Sequence, residues 1–155
     1  MIYIAHRGNI HGPNTQKENT PEYLLEAINL GYCVETDLWV VDENLYLGHD
    51  EPQYLIDATF IRTISHKLYC HCKNIEALCY VLKEFPEVEC FFHDSDDCVL
   101  TSRNRVWTYP GKQLTNYSIC VMPERVNQTK SDIDGCYGIC SDFVSEYKNE
   151  PSPKG

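Results

Sequence analysis

Apolar residues fall along this chain in short runs, and most runs end on a polar cluster. Residues 2–5 form one such run, which predicts a buried strand that carries His6 and Arg7 at its tip. Thr20 ahead of Pro21 and Glu22 predicts a helix start, with threonine as the N-cap and proline in the first helical position. Tyr23, Leu24, Ala27, Ile28 and Leu30 then recur at helical spacing, and Gly31 closes the helix. Residues 33–41 predict a second strand, Asp42-Glu43-Asn44 a turn, and residues 45–47 a short returning partner. A third strand is expected over 68–72, a helix over about 75–84 ended by Pro86, and a fourth strand over 89–92. Shorter strand candidates lie at 106–109, 119–122 and 138–141. The polar segment 147–155 reads as a flexible tail.

Strand, polar tip, helix, strand is the rhythm of a parallel α/β protein. Functional residues at the C-terminal ends of strands are what a β/α barrel offers. A complete eight-unit barrel takes about 200 residues or more, and this chain has 155. The connections between the later strands are also short. The expectation is therefore a single domain over residues 1–146, built as a reduced or incomplete β/α barrel of the TIM type, with loops in place of several outer helices.

Four polar clusters stand out: His6-Arg7-Gly8, Glu18-Asn19-Thr20-Pro21, Glu35-Thr36-Asp37 and Gly48-His49-Asp50. Side chains alternate faces along a strand, so Glu35 and Asp37 point the same way, about 7 Å apart. Two such carboxylates suit one hard cation, an arginine grips an anion, and histidines move protons. Together they point to cleavage of a phosphate ester. Two other readings of the acids are solvated residues on an edge strand and a glycosidase-like pair, but the second leaves His6, Arg7 and His49 without a purpose. In Cys70-His71-Cys72-Lys73 the alternation puts His71 and Lys73 on one face. If the cysteines pack under a helix, His71 and Lys73 enter the site. Zinc on Cys70, Cys72 and Cys79 is the competing reading, at a spacing that matches no standard zinc module. His93 ends the fourth strand and is a candidate for the pocket lining, while His11 and His66 lack such context. Asp94, Asp96 and Asp97 read as a solvated acidic turn. Trp107 and Tyr109 read either as a pocket wall or as core.

The formal net charge of −10 argues against nucleic acid held by a broad basic surface. A small anion requires a metal and a few basic residues to reverse the sign locally. No apolar run approaches the roughly 20 residues that span a bilayer, and no signal peptide is visible. Nine irregularly spaced cysteines then suggest reduced, mostly buried thiols and a cytoplasmic protein.

The ordered set His6-Arg7-Gly8, Glu18-Asn19-Thr20, Glu35-x-Asp37 and Gly48-His49-Asp50 resembles the signature of the glycerophosphodiester phosphodiesterase family. That family is itself similar to the phosphatidylinositol-specific phospholipase C superfamily. Weaker echoes are His71-x-Lys73 and the late Ser141-Asp142. The resemblance implies a β/α barrel and hydrolysis of a small phosphodiester with one divalent cation, magnesium or calcium. It implies that His6 and His49 are the acid/base pair and that Arg7 clamps phosphate, joined by Lys73. Glu35 and Asp37 would be metal ligands, with Glu18 and Asn19 supporting them and Asp50 beside His49. The family usually has glutamate where His71 stands. Histidine as the third ligand shifts the expected preference toward manganese, cobalt or zinc. The alternative is a non-catalytic phosphate-binding or sensor module. The oligomeric state and the substrate's alcohol group are left open.

Overall fold

The computed structural model describes residues 1–148, so most of the expected tail, 149–155, lies outside the described residues. The elements run β1 (Ile2–His6), α1 (Pro21–Asn29), β2 (Cys33–Val41), β3 (Asn44–Leu47), β4 (Tyr54–Ile56), α2 (Ala58–Ile64), β5 (Leu68–Cys72) and α3 (Ile75–Glu84). They continue β6 (Glu89–Phe92), β7 (Cys98–Leu100), β8 (Val106–Thr108), β9 (Ser118–Val121), α4 (Lys130–Ile133), β10 (Gly138–Ser141) and α5 (Val144–Tyr147). Short 3₁₀ turns occupy Ser65–Lys67 and Pro123–Val126.

Caps begin the helices where side-chain chemistry allows. Thr20 Oγ1 accepts from Tyr23 N at 3.3 Å, and Asp57 Oδ1 accepts from Phe60 N at 3.0 Å. Asn74 caps α3 by accepting from Ala77 N at 3.1 Å and also donates to Val40 O at 2.8 Å. That one side chain ties the end of β5 to β2, the strand that carries both candidate acids.

The sheet is where the expected reduced TIM-type barrel is corrected. All ten strands form one curled, mixed sheet. Seven strands pair in parallel in the order β6-β5-β2-β1-β10-β9-β8. Three more are antiparallel: β3 on β2, β4 on β3, and β7 on β8. Only five short helices accompany them among the described residues, the longest of ten residues. A helix-lined barrel needs a long crossover behind each strand. Here the strand–helix rhythm breaks after β6 and resumes only with the four-residue α4 between β9 and β10. The chain goes from β6 to β7 through an acidic turn, and from β8 to β9 through a loop. The result is a half-barrel jacketed by helices on one flank: α1 packs on β2, and α3 packs on β2, β5 and β6.

The curl separates two apolar layers. Outside, Val34, Leu38, Cys70, Cys72 and Cys90 pack with Leu24, Ala77, Val81 and Phe85 from the helices. Inside, Ile4, Tyr69, Phe91, Trp107, Ile119, Val121 and Cys140 form a second cluster. Phe91 and Trp107 stack at 4.4 Å, which brings the β6 and β8 flanks together. Ser102, just after β7, reinforces this by donating its N–H to Cys90 O at 2.9 Å. Fully burying each large apolar side chain contributes about 1.5–3 kcal/mol, so the two layers supply most of the stabilisation.

All nine cysteines are unpaired, and five of them are no more than 1% exposed: Cys70, Cys72, Cys90 and Cys140 within these layers, and Cys120 in a smaller cluster with Ile133, Cys136 and Ile139. They act as small hydrophobes. Alkylation of the denatured, unreduced protein should therefore modify nine cysteines by mass; protected pairs would contradict the packing described here.

Candidate functional site

Alternation along the strands decides what faces the concave interior. Ile4 and then His6, Glu35 and then Asp37, Tyr69 and then His71, and Phe91 and then His93 step toward the C-terminal ends of β1, β2, β5 and β6. The interior is apolar low in the strands and polar at their C-terminal ends. There a cavity of about 400 Å³ is lined by His6, Arg7, Glu35, Asp37, His49, His71 and Lys73, with Trp107, Tyr109 and Met122 among its wall residues. Crevices at the carboxyl ends of parallel strands are the usual ligand sites of α/β sheets.

Six of the residues singled out in the sequence form one buried polar network. Arg7 adopts a left-handed backbone at φ 53°, which turns the chain sharply off β1. Its N–H donates to Glu35 O at 3.0 Å, its Nε lies 3.2 Å from Asp37 Oδ2, and its NH1 donates to Glu18 Oε2 at 3.2 Å. Asn19, also left-handed at φ 62°, is held by its N–H to Arg7 O. Its Nδ2 donates to Asp37 Oδ2 at 2.9 Å, and its Oδ1 accepts from Thr36 Oγ1 at 2.6 Å and from Asp37 N at 3.1 Å. Glu18 and Asn19 thus fix Arg7 and Asp37 rather than face the cavity.

Glu35, Asp37 and His71 each place one ligand atom within 4.8 Å of the others, a candidate metal-binding triad. Register puts Asp37 opposite His71 across β2 and β5, and Asp37 Oδ1 sits 3.1 Å from His71 Nδ1. Lys73 Nζ is 3.8 Å from the same oxygen. Asp37 Oδ1 and His71 Nε2 are nevertheless buried without a hydrogen-bond partner. Electrostatics favours a cation here too. Burial and the neighbouring Asp37 charge push the Glu35 carboxyl above its ordinary range. Burial acts on Asp37 in the same sense but is outweighed by His71, Arg7 and Asn19, which hold it well below the usual carboxylate range. Ionising Glu35 beside Asp37 is therefore costly in this buried site, where Arg7 is also shared with Glu18. A divalent ion fits this donor set.

His6 is anchored more firmly than the sequence indicates. Its Nδ1 lies 2.7 Å from Asp142 Oδ1, just beyond β10, while Nε2 lies 3.9 Å from Glu35 Oε2. Asn9 Nδ2 donates to Asp142 Oδ1 at 2.9 Å and to Glu18 Oε1 at 2.8 Å. Burial alone would lower the pKa of His6; the Asp142 hydrogen bond and the Glu35 charge override it and raise the value. His49 differs. It lines the same cavity, yet its side chain is 42% exposed and bonds through Nδ1 to Asp50 at 2.8 Å. Its loop is held by Trp39 Nε1 donating to Gly48 O at 2.7 Å and by Gly48 N donating to Asp37 O at 3.1 Å. A Cβ at position 48 would fall 2.2 Å from Glu51 O, so glycine is required for this close approach.

Sequence reasoning passed over Asn9 and gave Asp142 no role beyond an echo of a motif. Asn9 lies inside a loop with no periodicity, and Asp142 pairs with His6 across 136 residues. The available signal for Asp142 was its place immediately after an apolar strand, the same signal that marked His6. His93, Trp107 and Tyr109 do line the cavity. His11 instead bonds Ser145, and His66 lies in the 3₁₀ turn before β5. Cys70 and Cys72 lie on the outer face of β5 beneath α3, and only Glu35, Asp37 and His71 form a metal-ligand cluster among the described residues. No helix among the described residues is long and apolar enough to cross a membrane.

Comparison with protein-family models, with curated proteins and with solved structures gives no match to this chain.

Proposed function

We propose that the chain is a divalent-metal-dependent phosphodiester hydrolase of the glycerophosphodiester phosphodiesterase type, acting on a small phosphodiester. The observation that carries this reading is the convergence of two carboxylates, two cationic side chains and two proton-transfer histidines on one cavity of about 400 Å³. Each group has a use in cleaving a phosphate ester, and no simpler task needs them all.

A divalent cation, when bound, supplies Lewis-acid neutralisation of phosphoryl charge. Glu35, Asp37 and His71 would hold it. The carboxylates suit magnesium or calcium; the imidazole favours manganese, cobalt or zinc. Arg7 and Lys73 would grip the phosphoryl oxygens, Arg7 already aimed by Glu18 and Asp37. His6, with Nδ1 on Asp142, presents Nε2 to the cavity as the base that takes the nucleophile's proton. His49, on the open side, would return a proton to the leaving alkoxide. The nucleophile is water or a substrate hydroxyl, the latter giving a cyclic phosphate before hydrolysis. A non-catalytic phosphate-binding module would use Arg7 and Lys73 equally well, but it has no need of an imidazole oriented by a buried carboxylate.

The test is turnover of bis(p-nitrophenyl) phosphate and of glycerophosphodiesters against a panel of divalent ions. Hydrolysis should vanish in excess chelator and return with added metal. Full activity in chelator would reject metal dependence, and no turnover with any ion would favour the binding module.

A further inference from the structure

The β5–β6–β8 flank of the cavity is a continuous aromatic wall. His71 stacks on Phe91 at 4.9 Å, Phe91 on Trp107 at 4.4 Å, and His93 on Tyr109 at 3.8 Å with 24° between the rings. A purely apolar wall would need no polar atoms. This one carries the Tyr109 hydroxyl, which is buried and has no hydrogen-bond partner. A tyrosine oxygen taken from water normally finds a partner.

Tyr109 is also fixed in place. Its N–H donates to Asp97 O at 3.0 Å, its carbonyl accepts from Lys112 N at 3.2 Å, and Pro110 follows it. The ring cannot easily swing away to solvate its hydroxyl while His93 covers its face. The structure therefore keeps an unsatisfied O–H at a fixed point on the cavity wall, just beyond β8, with β9 and β10 between that strand and β1, whose tip carries Arg7. Burial and the Glu35 and Asp37 charges hold its pKa far above neutrality, so the group is a donor throughout the physiological range.

We propose that the Tyr109 hydroxyl donates a hydrogen bond to a non-bridging oxygen of the phosphoryl group bound in this cavity, with His93 as the positioning residue that clamps the ring. The inference rests on the phosphodiesterase reading and extends it. Arg7 and Lys73 meet the phosphoryl group from the β1 and β5 sides, and Tyr109 meets it from β8. Tyr109 keeps its proton throughout. Its contribution grows as charge develops on the phosphoryl oxygens, the situation in which a preorganised donor in a dry site accelerates a reaction.

The experiment compares the full-length protein with Tyr109→Phe, His93→Ala and His93→Phe. Each is assayed with manganese on bis(p-nitrophenyl) phosphate and on an alkyl diester, and its affinity for inorganic phosphate is measured by calorimetry. Tyr109→Phe should lower kcat by about 100-fold on both esters, weaken phosphate binding, and leave the metal midpoint and Tm unchanged. His93→Ala should lose much of the same kcat, and His93→Phe should restore it by keeping the stack. Wild-type kcat and phosphate affinity in Tyr109→Phe would overturn the proposal. So would a loss confined to the alkyl ester, which would put the hydroxyl on the leaving oxygen. If the wild type turns over no diester with any metal, the hydrolase reading fails, and phosphate affinity still decides Tyr109. Weaker binding in Tyr109→Phe then supports the contact, and equal or absent binding overturns it.

Discussion

His6→Ala is expected to lower phosphodiester turnover by about two to four orders of magnitude while leaving the fold intact. The side chain ends β1 at the cavity, so its removal creates space in a polar site rather than in either apolar layer. Asp142→Asn should follow it closely. Asp142 accepts from His6 Nδ1 at 2.7 Å, which leaves Nε2 free to receive a proton. An amide can donate to Nδ1 instead, which moves the proton to Nε2 and removes the base. The isosteric change should therefore cost roughly 10²- to 10⁴-fold in kcat with little effect on Tm or metal affinity. The pH profile gives a separate check. Asp142 is one of the groups that raise the His6 pKa against the effect of burial. A base must be neutral, so activity climbs as pH rises through that value. Removing the carboxylate lowers it, and the residual activity of Asp142→Asn should have its acid limb at lower pH than wild type. Unchanged turnover in Asp142→Asn would remove His6 from the role of oriented base.

The parts of this site that were legible in the sequence are those set by local alternation. Glu35 and Asp37 share a face because they are two residues apart on a strand, and the same rule puts His71 and Lys73 opposite Cys70 and Cys72. Helix α1 was legible from its cap at Thr20 and its apolar spacing, and α3 as a run over about 75–84 ended by Pro86. Helix α2 was not, because Thr59, Ile61, Thr63 and Ile64 are β-branched and poor helix formers. Strands β4 and β7 span three residues each, too short for any period to emerge. The barrel expectation failed for a related reason. The turn at 42–44 did announce β3 as the returning partner of β2, but pattern seldom gives pairing, and nothing local says that β7 runs antiparallel beside β8 or that β4 extends the sheet beyond β3. The His6–Asp142 pair and the aromatic wall exist only once the sheet curls, which is a property of the whole chain.

Metal should stabilise this protein more strongly as pH rises, and Glu35 should be the main reason. Its carboxyl is 2% exposed and sits beside Asp37, which with burial raises its folded pKa above the unfolded value of about 4.3. An acid raised in this way favours the folded state while protonated. That contribution is lost as pH climbs from about 4.3 through the folded value. Asp37 acts in the opposite sense and in a different window. Its depressed pKa gives stability that is present above about 3.9 and lost only in stronger acid. As pH rises, the metal-free protein therefore carries a Glu35 charge that burial and Asp37 disfavour, and added positive charge relieves this. A divalent ion on Glu35, Asp37 and His71 would supply that charge. At a metal concentration 100 times Kd the stabilisation is about 2.7 kcal/mol, equivalent to a rise in Tm of about 5–10 °C for a domain of this size. Thermal unfolding in chelator and in manganese, from pH 5 to 8, should show the two curves diverging with pH. Glu35→Gln should make the metal-free protein more stable than wild type at neutral pH and largely close the gap, while Asp37→Asn should destabilise it by leaving Arg7 and Lys73 without their shared anion. His71→Glu should do the reverse of Glu35→Gln: lower stability in chelator, tighter magnesium or calcium. A gap that stays constant with pH, or a Glu35→Gln protein that binds manganese as tightly as wild type, would mean that Glu35 is not a ligand.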